Sequence, residues 1–252
     1  MKVLFSRADF DDVPCKYLAA YTGQLVDKAV ELGYETVNLY NDALEDPYSQ
    51  QPVNGGATTL DFEKYLNEKP DIVIGAGHGA KSLFTGQDLQ VLLKVGVNDD
   101  MLSEKRTFLA SCLTGLKLGP SAVAKTCPEF HGYQNDFVFN PHPDYVDKPF
   151  EDPWAKAQFE SAMVTGFAVL AGMKPLEVYE ATVERYNYWW DWWSQQNDPM
   201  ADEVMTWINW NRMNFITITP EGIYKTERAK LDLKTLAVPV GVATLFFLLS
   251  KT

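Results

Sequence analysis

The chain has 252 residues, of which 46% are hydrophobic and 22% are charged, and its formal net charge is −12. This length and apolar content predict a packed domain and exclude global disorder. The excess of acidic residues argues against nucleic acid as a partner, because it would repel the phosphate backbone.

Strands and helices are predicted to alternate over roughly the first 140 residues. Apolar or alternating runs predict strands at residues 2–6, 35–40, 71–74, 106–110 and 129–139. Helical spacing and helix-start signals predict helices at residues 14–32, 60–68, 89–95 and 120–125. This order predicts parallel strands joined by right-handed crossovers.

The second half is predicted to be largely helical. Helices are expected at residues 154–171, 175–193 and 201–212, followed by a strand at 215–219 and a turn at 220–222. Together the elements predict an α/β domain over residues 1–226, with a mostly parallel sheet and helices on both of its faces.

Residues 227–252 are predicted to form a basic linker and an apolar tail. Residues 236–249 contain no charge, but a helix of that length spans about 21 Å, short of a hydrocarbon core of about 30 Å. The segment is therefore expected either to attach the chain to a membrane or to pack on the domain or on a protein partner. The three cysteines and the lack of a recognisable signal peptide predict a cytoplasmic protein.

One histidine and one cysteine follow apolar strands directly. His78 comes after the strand at 71–74, and Cys112 comes after the strand at 106–110. Ligands bind at the carboxyl ends of the strands in an open parallel sheet, and neighbouring strands lie about 4.8 Å apart. If these two strands are neighbours, the imidazole can take the thiol proton and later protonate a leaving amine.

Two backbone N–H groups complete the predicted site. Glycine at position 79 leaves room for a peptide carbonyl, and its N–H together with that of Cys112 is expected to hold the oxyanion of a tetrahedral intermediate. This chemistry requires neither a metal nor a cofactor, and we predict none. The substrate would be a peptide or a protein.

These motifs resemble the signature shared by the clan CD cysteine peptidases, which include caspases, metacaspases, legumains, gingipains and CHAT proteins. The matching elements are IGAGHG at residues 74–79 and LASCLTG at residues 109–115, and the stretch FHGYQNDF at 130–137 is also similar. The resemblance implies a caspase-like, flavodoxin-like fold and a cysteine endopeptidase. It implies His78 as general acid and base and Cys112 as nucleophile, with a thioester acyl-enzyme intermediate.

The same resemblance implies a specificity pocket near the first strand and after the cysteine. Candidate pocket residues are Arg7, Asp11, Asp12 and Asp136. The aspartates would favour a basic residue before the cut, whereas the arginine would favour an acidic one. The excess of acid makes the basic preference our expectation.

Other interpretations stay open at this point. The same fold can serve as a catalytically silent scaffold attached through its tail, and a flavodoxin-like binding protein is a further alternative, although no glycine-rich phosphate loop follows the first strand. A metal site formed by His78, His131 and Cys112 has no supporting spacing. His131, His142, Cys15 and Cys127 are expected to be structural.

Overall fold

In the computed structural model, the fourth predicted strand lies at the centre of a seven-stranded sheet, with the third predicted strand beside it. The structure describes residues 1–10, 13–42 and 45–226. The strands of the main sheet are β1 (Lys2–Arg7), β2 (Glu35–Tyr40), β3 (Ile72–Ala76), β7 (Arg106–Ala110), β8 (Glu129–Tyr133), β9 (Phe215–Thr219) and β10 (Gly222–Lys225).

The strand order is β2-β1-β3-β7-β8-β9-β10. The first five strands in this order are parallel, and β9 and β10 are added antiparallel at one edge. The parallel part has the order of a flavodoxin-like doubly wound sheet, in which ligands bind beyond the carboxyl ends of the strands. The predicted α/β class with a mostly parallel sheet is confirmed.

Helices cover both faces of this sheet. The helices are α1 (Val13–Glu31), α2 (Thr59–Leu66), α3 (Leu118–Ala124), α4 (Lys156–Leu170), α5 (Pro175–Trp193) and α6 (Ala201–Asn214). One apolar core joins the sheet to α1, α4 and α5, and a second core joins the opposite face to α2 and α3. A third cluster joins α4, α5 and α6.

The two cores follow from the alternation of side chains along the strands. Ile72 and Ile74 of β3 belong to the first core, while Val73 between them belongs to the second. Successive side chains of a strand point to opposite faces, so a continuous apolar run is what a sheet covered on both sides requires.

A second sheet, of three strands, follows β3, and we call it the small sheet. The sequence analysis did not predict it. It consists of β4 (Gly79–Ala80), β5 (Leu83–Thr85) and β6 (Val91–Lys94), all antiparallel. The predicted helix at 89–95 is therefore wrong. Its central residues form β6, where Leu92 and Leu93 are fully buried.

Other predicted bounds need smaller corrections. The predicted fifth strand at 129–139 ends at Tyr133, and the chain then leaves the sheet. Helix α2, predicted at 60–68, begins at Thr59 and ends at Leu66, and it is capped by Thr58, whose hydroxyl accepts from Asp61 N at 3.3 Å. The predicted linker and tail at 227–252 lie outside the described residues. Among the helices of the described ranges, none is both long and apolar enough to cross a membrane.

Candidate active site

The strands that carry the histidine and the cysteine are neighbours. β3 and β7 pair in parallel, in a register that runs to Ala76 opposite Ala110. His78 and Cys112 each follow that last pair by two residues. Because the offsets are equal, the two residues leave the same edge of the sheet on adjacent strands.

The backbone after His78 lies directly on the turn that contains Cys112. A Cβ atom built on Gly79 would lie 2.3 Å from the Cys112 carbonyl oxygen, 2.9 Å from Thr114 Cγ2 and 3.0 Å from Ser111 Oγ. Glycine at position 79 is required for this approach, since no side chain fits there without a shift of the backbone.

The small sheet orients the N–H group of Gly79. Thr85 N donates to the His78 carbonyl oxygen at 2.9 Å, and the Thr85 hydroxyl donates to the same oxygen at 3.2 Å. Hydrogen-bonded and non-hydrogen-bonded pairs alternate in an antiparallel ladder, so the N–H of Gly79, opposite Phe84, points away from β5. A group that holds an oxyanion must have this freedom from the ladder.

Residues 111–117, which we call the cysteine turn, are hydrogen-bonded to the chain that follows β8. Leu113 has φ of 61°, an uncommon conformation for a residue with a Cβ atom. This conformation directs Leu113 N to Asn135 O at 3.1 Å, and Gly115 N donates to Tyr133 O at 2.9 Å. The turn and the segment after β8 therefore hold each other in place.

The Cys112 thiol is half-buried and lies against residues 136 and 137. Phe137 N donates to Cys112 Sγ at 3.4 Å. Burial raises the pKa of the Cys112 thiol to about 12, and the Asp136 carboxyl adds to the increase, whereas the Phe137 N–H opposes it. The thiol is thus neutral at pH 7. Of the predicted pocket residues, the structure brings Asp136 to the cysteine.

The other predicted pocket residues are placed differently. Arg7 is fully buried at the end of β1, where its guanidinium pairs with Asp46 and also donates to Asn38 Oδ1 at 3.1 Å and Ala19 O at 2.6 Å. Its charge is neutralised within the domain. Asp11 and Asp12 lie outside the described residues.

His131 and His142 have structural contacts. His131 is fully buried, with Nδ1 at 2.8 Å from Thr217 Oγ1 and Nε2 at 3.2 Å from Glu129 Oε1. Burial lowers the pKa of His131. His142 Nδ1 accepts from Asp144 N at 3.1 Å, and its ring packs on Trp154.

Cys15 and Cys127 are buried thiols. Within residues 1–10, 13–42 and 45–226, no group of three or more His, Cys, Asp or Glu side chains is arranged to hold a metal ion.

Residues that sequence reasoning missed surround the cysteine turn. Phe137 contributes only its backbone N–H to the sulfur, and two α6 side chains, Trp210 and Asn211, hydrogen-bond the segment after β8. A backbone group carries no sequence signal, and α6 is about 100 residues from Cys112 in the chain. The buried partner of Arg7 was also missed, because Asp46 lies in a polar loop.

Comparison with known proteins gives only distant similarity. No protein-family model matches the chain, and no curated protein matches it. The complex of the RgpB pro- and mature domains of Porphyromonas gingivalis aligns with a TM-score of 0.42 at 10% identity, over 81% of this chain and 44% of that chain. The Arg specific cysteine proteinase gingipain R (RGPB) aligns with a TM-score of 0.38 at 13% identity, over 73% of this chain and 42% of that chain.

The chain thus spans less than half the length of either protein. Similarity this low assigns neither a family nor an activity to the chain.

Proposed function

We propose that this protein is a cysteine endopeptidase in which His78 and Cys112 act as a dyad. The observation that carries the proposal is the equal offset of the two residues beyond paired positions of β3 and β7. The tight contact between Gly79 and the Cys112 carbonyl supports it further, since the contact brings the backbone after the histidine onto the cysteine turn.

The proposed reaction begins from a neutral thiol, because burial keeps the pKa of Cys112 high. His78 takes the thiol proton as the sulfur attacks the peptide carbonyl carbon, and a C–S bond forms. The N–H groups of Gly79 and Cys112 hold the oxyanion. The C–N bond then breaks, the imidazolium gives its proton to the leaving amine, and a thioester remains.

Water completes the turnover. His78 accepts a proton from a water molecule that attacks the thioester carbonyl, the C–S bond breaks, and the sulfur regains a proton. The peptide acid leaves and the dyad returns to its starting state. No other reactant is needed.

The preference proposed for this enzyme is a basic residue before the cut. Asp136 supports it, because its carboxyl lies beside Cys112 at the edge of the sheet. Arg7 supports no acidic preference, since its guanidinium is buried against Asp46.

Hydrolysis of matched peptides tests the proposal. Fluorogenic peptides that differ only in Arg, Lys, Asp or Ala before the cut should be cleaved fastest after Arg or Lys. Cys112→Ala should abolish cleavage, and His78→Ala should slow it by about 100-fold or more, because general base catalysis contributes that much. His142→Ala, which removes a histidine that packs on Trp154, is the matched control. Absence of cleavage by the wild-type chain with all four peptides would contradict the proposal.

A catalytically silent scaffold is the second candidate function. The high pKa of the Cys112 thiol favours this alternative, because a neutral thiol is a poor nucleophile. A scaffold would leave all four peptides intact while the protein remains folded.

A further inference from the structure

The chain after β8 runs past the candidate nucleophile instead of continuing the sheet. We define residues 134–138 as the covering segment. It contacts Cys112 through the Phe137 N–H, which donates to the sulfur at 3.4 Å, and through the Asp136 side chain. The Asn135 carbonyl oxygen accepts from Leu113 N in the cysteine turn at 3.1 Å.

Helix α6 holds the covering segment from its other side. Asn211 is fully buried, and its carboxamide accepts from Val138 N at 2.9 Å and donates to Val138 O at 2.6 Å. The Trp210 indole N–H donates to Asp136 O at 2.8 Å. At the start of the segment, Gln134 N donates to Asn214 O at 2.9 Å.

These contacts make a short chain from α6 to the sulfur. Each of the two α6 side chains bonds the backbone of a residue that is next to Phe137, one on either side of it. Buried polar groups are costly to leave unpaired, so the two hydrogen bonds between Asn211 and the Val138 backbone hold the covering segment in one position.

We infer that Trp210 and Asn211 are positioning residues for Cys112: their hydrogen bonds to Asp136 and Val138 fix the covering segment against the sulfur. The role of this positioning in catalysis rests on the proposed function. The contacts themselves, and their effect on the thiol, do not depend on it.

The groups that face the thiol determine whether its pKa rises or falls when the covering segment is displaced. Asp136 faces it from the covering segment, Tyr133 from the end of β8, and His78 lies on the neighbouring strand end. Tyr133 is neutral and shares a hydrogen bond of 2.9 Å with the Tyr186 hydroxyl. Burial has the largest influence on the thiol pKa and Asp136 acts in the same direction, while the Phe137 N–H acts against them. A displaced segment should therefore lower the thiol pKa.

The test is alkylation of Cys112 by iodoacetamide in the folded full-length chain from pH 7 to 10, followed by peptide mapping. Trp210→Phe removes the indole N–H that donates to Asp136 O and keeps an aromatic ring. Asn211→Ala removes both hydrogen bonds to Val138. Trp190→Phe, at an exposed position on α5, is the matched control. The wild-type rate should rise about tenfold per pH unit without a plateau, because the thiol pKa lies above the range.

Both α6 variants should alkylate at least tenfold faster than the wild-type chain at pH 7.5, with a midpoint that falls below about pH 10. Trp190→Phe should behave as wild type. If Asn211→Ala does not fold by circular dichroism, Trp210→Phe alone decides. Rates within twofold of wild type, or a uniform increase that leaves the midpoint above the range, would overturn the inference.

This experiment separates the inference from the proposed function, because alkylation requires no turnover. A chain that alkylates as expected but cleaves no peptide loses the proposed function and keeps the inference. A chain that cleaves peptides while its α6 variants alkylate like wild type loses the inference alone.

Discussion

At the scale of single residues, the environment of Cys112 favours the neutral thiol. Burial has the largest influence and raises the thiol pKa, and the Asp136 carboxyl adds to the increase. The backbone N–H groups of Phe137 and of Cys112 itself act in the opposite direction and do not outweigh burial. A resting thiolate–imidazolium pair is therefore not the starting state of the proposed reaction. The proton must move when the substrate is bound, which gives His78 the role of general base in the attacking step.

Substitution of Asp136 by asparagine tests the electrostatic part of this environment. Asp136→Asn keeps the shape and removes a negative charge beside the sulfur, so the thiol pKa should fall. Because burial remains the larger cause, we expect a rise of about threefold to tenfold in the Cys112 alkylation rate at pH 7.5.

Glu180→Gln provides the control, since it removes one negative charge from an exposed position on α5. An equal rise in both variants would mean that net charge, and not the Asp136 contact, governs the thiol. An unchanged rate in Asp136→Asn would mean that the carboxyl has no influence on it.

The sequence was informative about residues whose position follows from local pattern. His78 and Cys112 each end an apolar run, so a parallel sheet was expected to bring the strands that carry them to one edge, and β3 does pair with β7. The surroundings of Arg7 could not be predicted in this way. The burial of its guanidinium depends on Asp46, in a loop whose path no periodic pattern specifies.

At the scale of elements, the cysteine turn and the small sheet are pressed together at Gly79. Gly79→Ala should displace the turn, because the added Cβ would lie 2.3 Å from the Cys112 carbonyl oxygen. We expect a loss of about 1–3 kcal/mol in the free energy of unfolding, measured with urea, and a loss of peptide cleavage.

Lys81→Ala is the control for this substitution, since it changes an exposed side chain two residues further along the chain. A Gly79→Ala variant with wild-type stability and wild-type cleavage would show that the contact between the two segments is loose.

The small sheet also marks the limit of pattern-based prediction. Residues 89–95 (LQVLLKV) are mostly apolar, but the segment is too short to separate a helix from a strand by periodicity. The choice is made by tertiary pairing, since β6 adds to the hairpin of β4 and β5. The end of β8 at Tyr133 was missed for a related reason, because the contacts that draw the covering segment away from the sheet come from α6.

At the scale of the whole molecule, buried tyrosines connect stability to pH. Burial raises the pKa of Tyr17, Tyr21, Tyr133 and Tyr186 above the ordinary value of 10, and each is at most 2% exposed. Above about pH 10 the unfolded chain releases these phenolic protons while the folded chain retains them. The free energy of unfolding should therefore fall as the pH rises.

Each such group contributes a loss of about 1.4 kcal/mol per pH unit above its unfolded pKa, so several kcal/mol should disappear between pH 9 and pH 11. Urea unfolding across this range measures the effect. Constant stability from pH 8 to pH 11 would contradict the burial of these phenols.

Within the described residues, the organisation of the chain was predicted most fully for the sheet. The alternation of strands and helices was enough to predict that the strands pair in parallel, because helical crossovers join parallel strands. Attachment through residues 236–249 to a membrane or a partner stays a prediction, as does a cytoplasmic location.

The central claim, that His78 and Cys112 act together, is tested most directly by the rate at which a peptidyl acyloxymethyl ketone modifies the folded protein. Such a reagent needs a positioned nucleophile and its acid–base partner. The wild-type chain should be modified at Cys112 alone. The His78→Ala variant should react at least about 100-fold more slowly, and His142→Ala should react at the wild-type rate. Equal rates in the wild-type and His78→Ala chains, or no modification of folded wild-type protein, would contradict the account.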